Sequence, residues 1–152
     1  MRTLGVDFGD KRTGVAVSDP LGWTAQGLEV VTGDVNKTAV RICELASQYE
    51  ADTIVVGYPL NMNGSEGSRA GKTDVFIAAL KKRVGAETVN IVKWDERLTS
   101  AAAARTIRES GGRPTSRKER EKGRLDILSA ALILQSYMDR RRIDQKGAIY
   151  DE

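Results

Sequence analysis

The order of strand-like and helix-like runs constrains this chain more tightly than any single motif. Arg2–Phe8 (RTLGVDF) and Thr13–Asp19 (TGVAVSD) are apolar or alternating, and the polar turn Gly9–Arg12 between them predicts a β-hairpin. A third strand is expected over Gly27–Thr32. Asp34 is a candidate N-cap for a helix reaching about Tyr49, with Val35, Ala39, Ile42, Cys43, Ala46 and Tyr49 on one face. Thr53–Gly57 (TIVVG) has the continuous apolar character of a buried strand. After a Gly/Asn/Ser loop, Tyr58–Ser68, come a helix over Arg69–Val84 and a fifth strand over Val89–Trp94. Ser100–Arg108 is Ala-rich and predicts a helix stopped by Gly111 and Gly112. A basic loop, Arg113–Lys118, precedes a final helix over Arg120–Arg142, whose core LDILSAALILQSYM reads as buried nearly all round. Three successive strands followed by helix–strand alternation imply an α/β domain built on a mixed five-stranded sheet with helices on its faces. The expected division is one domain over residues 1–142 and a C-terminal tail over 143–152.

The residue inventory then restricts the chemistry. The chain has 152 residues and no histidine, which removes Ser-His-Asp and Cys-His catalysis and His-bound zinc. Its single cysteine, Cys43, allows no intrachain disulfide and no thiolate metal cluster. Cys43 is expected to be plain core, and a reducing, cytoplasmic setting is expected. No run approaches the ~20 apolar residues of a membrane span, and no signal peptide is readable at the N-terminus. Hydrolytic or transfer chemistry must therefore rest on carboxylates, lysine, arginine, hydroxyls or a hard metal ion held by oxygen, meaning Mg²⁺ or Mn²⁺.

The net charge of +3 is unevenly spread: Arg105–Arg124 contains eight basic and three acidic residues. Such a block is either a solvated helix and loop or a contact for a polyanion.

Three carboxylate positions stand out. Asp7 ends the first strand among apolar neighbours, where an ionised group needs compensation by a cation or a metal. Asp95-Glu96 follows the fifth strand, and adjacent side chains diverge, so one of the two faces Asp7 while the other pairs with Arg97 or caps the next turn. Asp126 lies in the apolar stretch of the last helix, and a buried carboxylate there needs a partner, either Lys122 one turn earlier or another cation. Lys11 and Arg12 in the hairpin turn would lie beside Asp7 and are suited to gripping a phosphate. The segment YPLNMNGSEG, with Gly64 and Gly67, is either a backbone cradle for phosphate or a plain connection. The sparse aromatics, Trp23, Trp94 and Tyr58 among them, form no evident base-stacking platform.

Four segments, GVDFGDKRTGVAVSD, VVGYPLNMNGSEG, WDERLTS and LDILSAALIL, resemble in order and spacing the YqgF (RuvX) family of Holliday-junction resolvases and ribosomal-RNA-precursor nucleases. The resemblance spans Gly5 to about Tyr137. It implies a ribonuclease H-like fold and a metal-dependent nuclease acting on pre-16S rRNA or branched DNA. It also implies an acidic site of Asp7, Glu96 and Asp126 that holds Mg²⁺ or Mn²⁺. Arg97, Arg113, Arg117 and Lys118 join Lys11 and Arg12 as expected nucleic-acid contacts. The chain departs from the family pattern at Asn63, usually Asp, and at the end of WDERLTS, where a second Thr is common. The hairpin segment DFGDKRTGVAV also resembles the phosphate loop of sugar-kinase, actin and chaperone ATPases. Those proteins clamp a nucleotide between two related domains, and this chain has room for one. A non-catalytic nucleic-acid-binding or ribosome-associated module is the alternative to an enzyme. A resolvase making paired cuts would be a homodimer, whereas an RNA-trimming enzyme can act as a monomer.

Overall fold

The computed structural model describes residues 2–61, 63–84, 88–99 and 116–150. Strands β1 (Arg2–Asp7), β2 (Arg12–Ser18) and β3 (Ala25–Thr32) are followed by α1 (Val35–Gln48), β4 (Ala51–Tyr58), α2 (Ser68–Val84) and β5 (Asn90–Asp95). A single 3₁₀ turn (Glu96–Leu98) follows β5, and a long helix, α3 (Ser116–Tyr150), ends the described chain. The strands lie in the order β3-β2-β1-β4-β5. The first three are antiparallel, as hairpin connections require, while β1, β4 and β5 run parallel through helical crossovers. The expected mixed five-stranded sheet is the one observed.

Alternation along the strands divides the core in two. Leu4, Val6, Val15, Val17, Ile54 and Val56 face α1 and α2, where Ile42, Leu45, Phe76 and Leu80 close a continuous cluster. Cys43 packs half-buried against this cluster, and burial pushes its thiol pKa up, as suits a core residue rather than a nucleophile. Asp34 caps α1 by accepting from the Lys37 N–H at 2.8 Å.

The opposite face carries α3, and here the sheet is built to admit a helix unusually closely. Cβ atoms placed on Gly5, Gly14, Gly27 and Gly57, on four different strands, would fall within 2.6 Å of α3 atoms. The tightest is Gly14, where a Cβ would lie 1.9 Å from the Asp126 carbonyl oxygen. Ala130, Ile133, Leu134 and Met138 fill the remaining space.

Three sequence expectations are corrected by α3. The helix is not buried all round: Leu128 is 48% exposed and Ile143 64%, because one sheet face covers one stripe of a helix. It begins at Ser116, so Arg117 and Lys118 are helical rather than part of a loop, and Arg117 pairs one turn ahead with Glu121 at 3.3 Å. It also continues through the expected tail to Tyr150, supported by an Arg140–Asp144 pair at 3.4 Å. The helix expected over Ser100–Arg108, and Arg113, lie outside the described residues. No helix among the described residues is long and apolar enough to cross a membrane.

Candidate active site at the acidic strand ends

Asp7 is the last residue of β1 and shares the α3 face with Gly5 two residues earlier. Its Cα partner in β2 is Gly14, directly beneath the Asp126 backbone. On its other side, the pairing of Val6 with Val56 brings Gly57, the next residue of β4, alongside Asp7. Glu96 reaches this point from β5: its Oε1 lies 3.8 Å from where a Gly57 Cβ would stand. Two glycines thus flank Asp7, and the missing side chains leave room for the Asp126 backbone over Gly14 and the Ile133 side chain over Gly57. Asp7 is 1% exposed, and Glu96 and Asp126 are 2% exposed. Residues 7, 96 and 126 therefore lie toward the same end of the sheet, on two strand ends and a helix.

The structure separates the two adjacent acids after β5. Asp95 turns outward, caps the 3₁₀ turn through the Arg97 N–H and pairs with the Arg97 guanidinium at 2.8 Å. Hydrogen bonding from Arg97 holds the Asp95 carboxyl below the usual carboxylate range. Glu96 is left as the inward-facing acid. Arg97 therefore has a fixed partner, and it also lies against the Tyr58–Gly67 loop, 3.6 Å from a Cβ position on Gly64. That loop is internally bonded. Asn63 Oδ1 accepts from the Ser65 N–H at 3.0 Å and its hydroxyl at 2.6 Å, a role that an aspartate oxygen fills equally well. Gly64 adopts φ 86°, a left-handed conformation. The loop base is anchored by Asp74, which accepts from the Tyr58 hydroxyl at 2.8 Å and pairs with Lys93 at 2.9 Å.

Arg12 meets Asp126 rather than leaving it to Lys122. Its Nε donates to Asp126 Oδ2 at 2.8 Å, while its NH1 pairs with Glu119 at 2.7 Å. Lys122 instead pairs with Glu119 at 3.8 Å. Lys11 is exposed in the hairpin turn next to this pair. Arg117 lies on the first turn of α3 with its side chain 85% exposed, one turn before Glu121 and two before Asp126. Lys118 follows on the same turn.

Sequence reading missed two participants. Glu119 holds the outer half of the Arg12 guanidinium. Ser129 is fully buried with its hydroxyl unpaired, a state that costs about 1–3 kcal/mol. The signal for Ser129 was its spacing, three residues after Asp126 on the same helical face.

Among the described residues no group of three or more acidic or thiol side chains is gathered as a metal site. The donor chemistry nonetheless suits a hard divalent cation. Three buried carboxylates and an orphaned hydroxyl offer oxygen alone, the preference of Mg²⁺ and Mn²⁺. Closing such a shell requires the Asp126 carboxylate to be shared with, or released from, Arg12. A cleft of about 510 Å³ between Thr3, Trp23, Tyr137 and Arg142 lies at the other end of β1 and belongs to no part of this constellation.

A hairpin-led mixed sheet, with a helix packed across it and buried acids at the ends of β1 and β5, defines the ribonuclease H-like fold class. Thermus thermophilus RuvC shares that fold. Its complex with a Holliday junction substrate superimposes with a TM-score of 0.57 at 16% identity, covering 92% of this chain and 96% of that one. A second Thermus thermophilus RuvC structure gives 0.53 at 15% identity, over 92% and 96% of the two chains. The chain belongs to the RuvX family, described as Holliday junction resolvase, whose family model matches residues 1–140. A relative from Ruminiclostridium cellulolyticum is 48% identical over 92% of this chain and 95% of its own length. One from Acetivibrio thermocellus is 47% identical over 91% and 96%. Both are provisionally named as pre-16S rRNA nucleases.

Proposed function

We propose that this chain is a metal-dependent nuclease that hydrolyses phosphodiester bonds in structured nucleic acid, with the 5′ end of pre-16S rRNA as its substrate. The observation that supports this reading is the burial of three carboxylates, Asp7, Glu96 and Asp126, each at most 2% exposed, toward the same end of the sheet. Burying three carboxylates together is costly, and a cation bound among them offsets that cost. Asp7, Glu96 and Asp126 would hold Mg²⁺ or Mn²⁺. Bound there, such an ion supplies an activated water and stabilises negative charge on the phosphate oxygens. Lys11 and Arg12 would orient the phosphate at the mouth of the recess, with Arg97 beside the glycine loop. Arg113, Arg117 and Lys118 would hold the flanking nucleic acid electrostatically.

The choice of RNA rests on the names of relatives at 47–48% identity, since resemblance to the resolvases at 15–16% concerns the fold. Trimming an RNA end in the cytoplasm is within reach of a monomer, whereas resolving a junction by paired cuts calls for a homodimer. The test is a cleavage assay with Mg²⁺ or Mn²⁺ on a pre-16S rRNA fragment, a four-way DNA junction, duplex DNA and single-stranded RNA. Cleavage of the precursor, lost in excess EDTA and in Asp7→Asn with binding retained, is expected. Preferred cutting of the junction would move the substrate to branched DNA, and robust cleavage in EDTA would remove the metal.

A second reading, a non-catalytic nucleic-acid-binding module, draws on the Arg12–Asp126 pair, in which an arginine already engages a carboxylate of the candidate site. It predicts tight binding of the precursor with no cleavage under any metal.

A further inference from the structure

Trp23 is exposed and yet held still. The residue is 56% exposed, and Leu21, two residues earlier in the β2–β3 turn, is 80% exposed. The Trp23 backbone N–H donates to Asp19 Oδ1 at 2.7 Å, and its carbonyl accepts from Gln135 at 3.0 Å and from Arg142 at 3.1 Å. The Arg142 guanidinium also lies over the indole, 5.1 Å from the ring centre, and is itself held by Asp139. A large ring left half in water contributes little burial, so the fold gains little by fixing it there. A side chain fixed in advance instead lowers the entropy lost when a ligand stacks on it.

Trp23 lines the cleft of about 510 Å³ at the end of β1 away from Asp7. Thr3 and Ser18 line it from the sheet, and Tyr137 and Arg141 from α3. Arg141 is exposed and donates to the Tyr137 hydroxyl at 3.1 Å; among the described residues it meets no carboxylate. Tyr137 is fixed in turn by an edge-on contact with Trp94 at 5.6 Å. Scattered in the sequence, Trp23 and Tyr137 suggest no stacking platform; the fold brings them to one cleft. An indole, a guanidinium without a carboxylate and a pair of hydroxyls suit a ligand that is flat, anionic and rich in hydrogen-bonding groups, which is the chemistry of a nucleotide. An apolar helix seated here would bury Arg141 and the hydroxyls without partners.

We infer that this cleft binds an unpaired nucleotide of the substrate strand, its base stacked on Trp23 and its phosphate against Arg141. Asp52, the acid of the lining, offers an acceptor to a base amino group, as acidic side chains do toward cytosine. Thr3 stands four residues before Asp7 on β1, about 13 Å along the strand. The bound nucleotide is therefore separated from the bond being cut by roughly four stacked nucleotides or more. The cleft anchors single-stranded substrate away from the acidic end and leaves the chemistry to that end. The identity of the strand rests on the nuclease reading above; its binding is measured apart from cleavage.

The test titrates the full chain, in EDTA so that nothing is cut, into a fluorescein-labelled oligoadenylate of about six nucleotides and reads anisotropy. Base–aromatic stacking sets the expected loss: Trp23→Ala should weaken binding by about 5–100-fold. Trp23→Phe keeps a stacking ring and should recover most of that loss, which separates stacking from a folding defect. Arg141→Ala should weaken binding and flatten the salt dependence by about 0.7 in log K per log salt, the value for one phosphate on a single strand. Lys81→Ala, which removes one exposed cation from the last turn of α2, should bind like wild type. Wild-type affinity in Trp23→Ala overturns the inference, as does an equal loss in Lys81→Ala. A wild-type chain that does not bind the strand overturns it and leaves the cleft to a protein partner. Displacement by AMP at the strand's own concentration overturns it in favour of a free nucleotide. Trp23-dependent binding without cleavage of the precursor leaves the inference standing and removes the nuclease reading; cleavage with binding that ignores Trp23 does the reverse.

Discussion

Replacing Gly14 by alanine tests the close approach of α3 to the sheet, on which the acidic recess depends. The added Cβ would stand 1.9 Å from the Asp126 carbonyl oxygen, 2.3 Å from its carbon and 3.0 Å from the Ile127 nitrogen, all backbone atoms that cannot rotate aside. Comfortable contact is near ~3.5 Å, so α3 must retreat by about 1.5 Å at this point. The retreat cannot stay local, because Ala130 and Leu134 are seated on Gly5 and Ile127 on Gly27 by approaches of 2.3–2.8 Å. Interiors are close-packed, and forcing a helix off its seat costs about 3 kcal/mol, the upper end of the overpacking range. For a domain of this size that lowers Tm by about 6–12 °C. Thermal melts by circular dichroism, in EDTA so that no metal contributes, read this directly. Gly71→Ala is the matched control. It lies exposed within α2 with nothing within 4 Å of its Cβ position, and it should gain about 0.5–1 kcal/mol. A Gly14→Ala melt within ~2 °C of wild type would refute the packing argument. In the cleavage assay the same variant should lose about a hundredfold in rate, since Asp126 is carried away from Asp7.

Arg12→Ala removes the guanidinium 2.8 Å from Asp126, whose side chain is 3% exposed, and should cost about 2 kcal/mol in urea denaturation. The double variant Arg12→Ala/Asp126→Asn should be less unstable than the two single losses added together; strict additivity would refute the coupling. Away from the site, hydrogen bonds from Arg41 hold the Glu29 carboxyl below its ordinary range. A depressed pKa means that the unfolded chain binds the proton first, so this stability is present above the unfolded-state pKa and is lost as the pH falls. Glu29→Gln should therefore be less stable at neutral pH, with the two stability curves converging below about pH 4; parallel curves would refute the assignment. Replacing Arg113, Arg117 and Lys118 together by alanine should weaken binding to all duplex sequences alike. It should flatten the salt dependence by about 0.9 in log K per log salt for each phosphate that the variant no longer neutralises, without altering metal dependence. Unchanged binding and slope would reassign the electrostatic role to Lys11, Arg12 and Arg140–Arg142.

Much of the architecture was legible because its determinants are local. Strand periodicity in RTLGVDF and TGVAVSD, with four polar residues between, leaves little besides a hairpin. The Asp34 cap follows from one side chain three residues from its donor. The boundaries of β1, α1, α2 and β5 shift by a residue or two at most, within the range over which helix and strand ends fray. Reading α3 as buried all round failed because an apolar sequence does not report how many faces a single sheet can cover. Its start at Ser116 was missed because Arg117 and Lys118 read as loop by their charge, yet the charged residues here pair along a helix.

Local pattern also marked Asp7 and Asp126 as charges in apolar company, and left Asp95 and Glu96 undecided. That decision is tertiary: Arg97 and the cap of the 3₁₀ turn claim Asp95, and Glu96 is buried with its Oε1 near Gly57. The partner of Asp126 is tertiary in the same sense. Arg12 is 114 residues away, and it prevails over Lys122 because β2 and α3 are stacked through Gly14. The sequence by itself determined which elements form and which residues carry chemistry, since those follow from spacing and side-chain type. Only the folded structure decided which carboxylates are buried, which glycines make room for the last helix, and that Ser129 is left with an unpaired hydroxyl. Each of these depends on contacts between segments far apart in the chain, and such contacts leave no periodic trace in either segment.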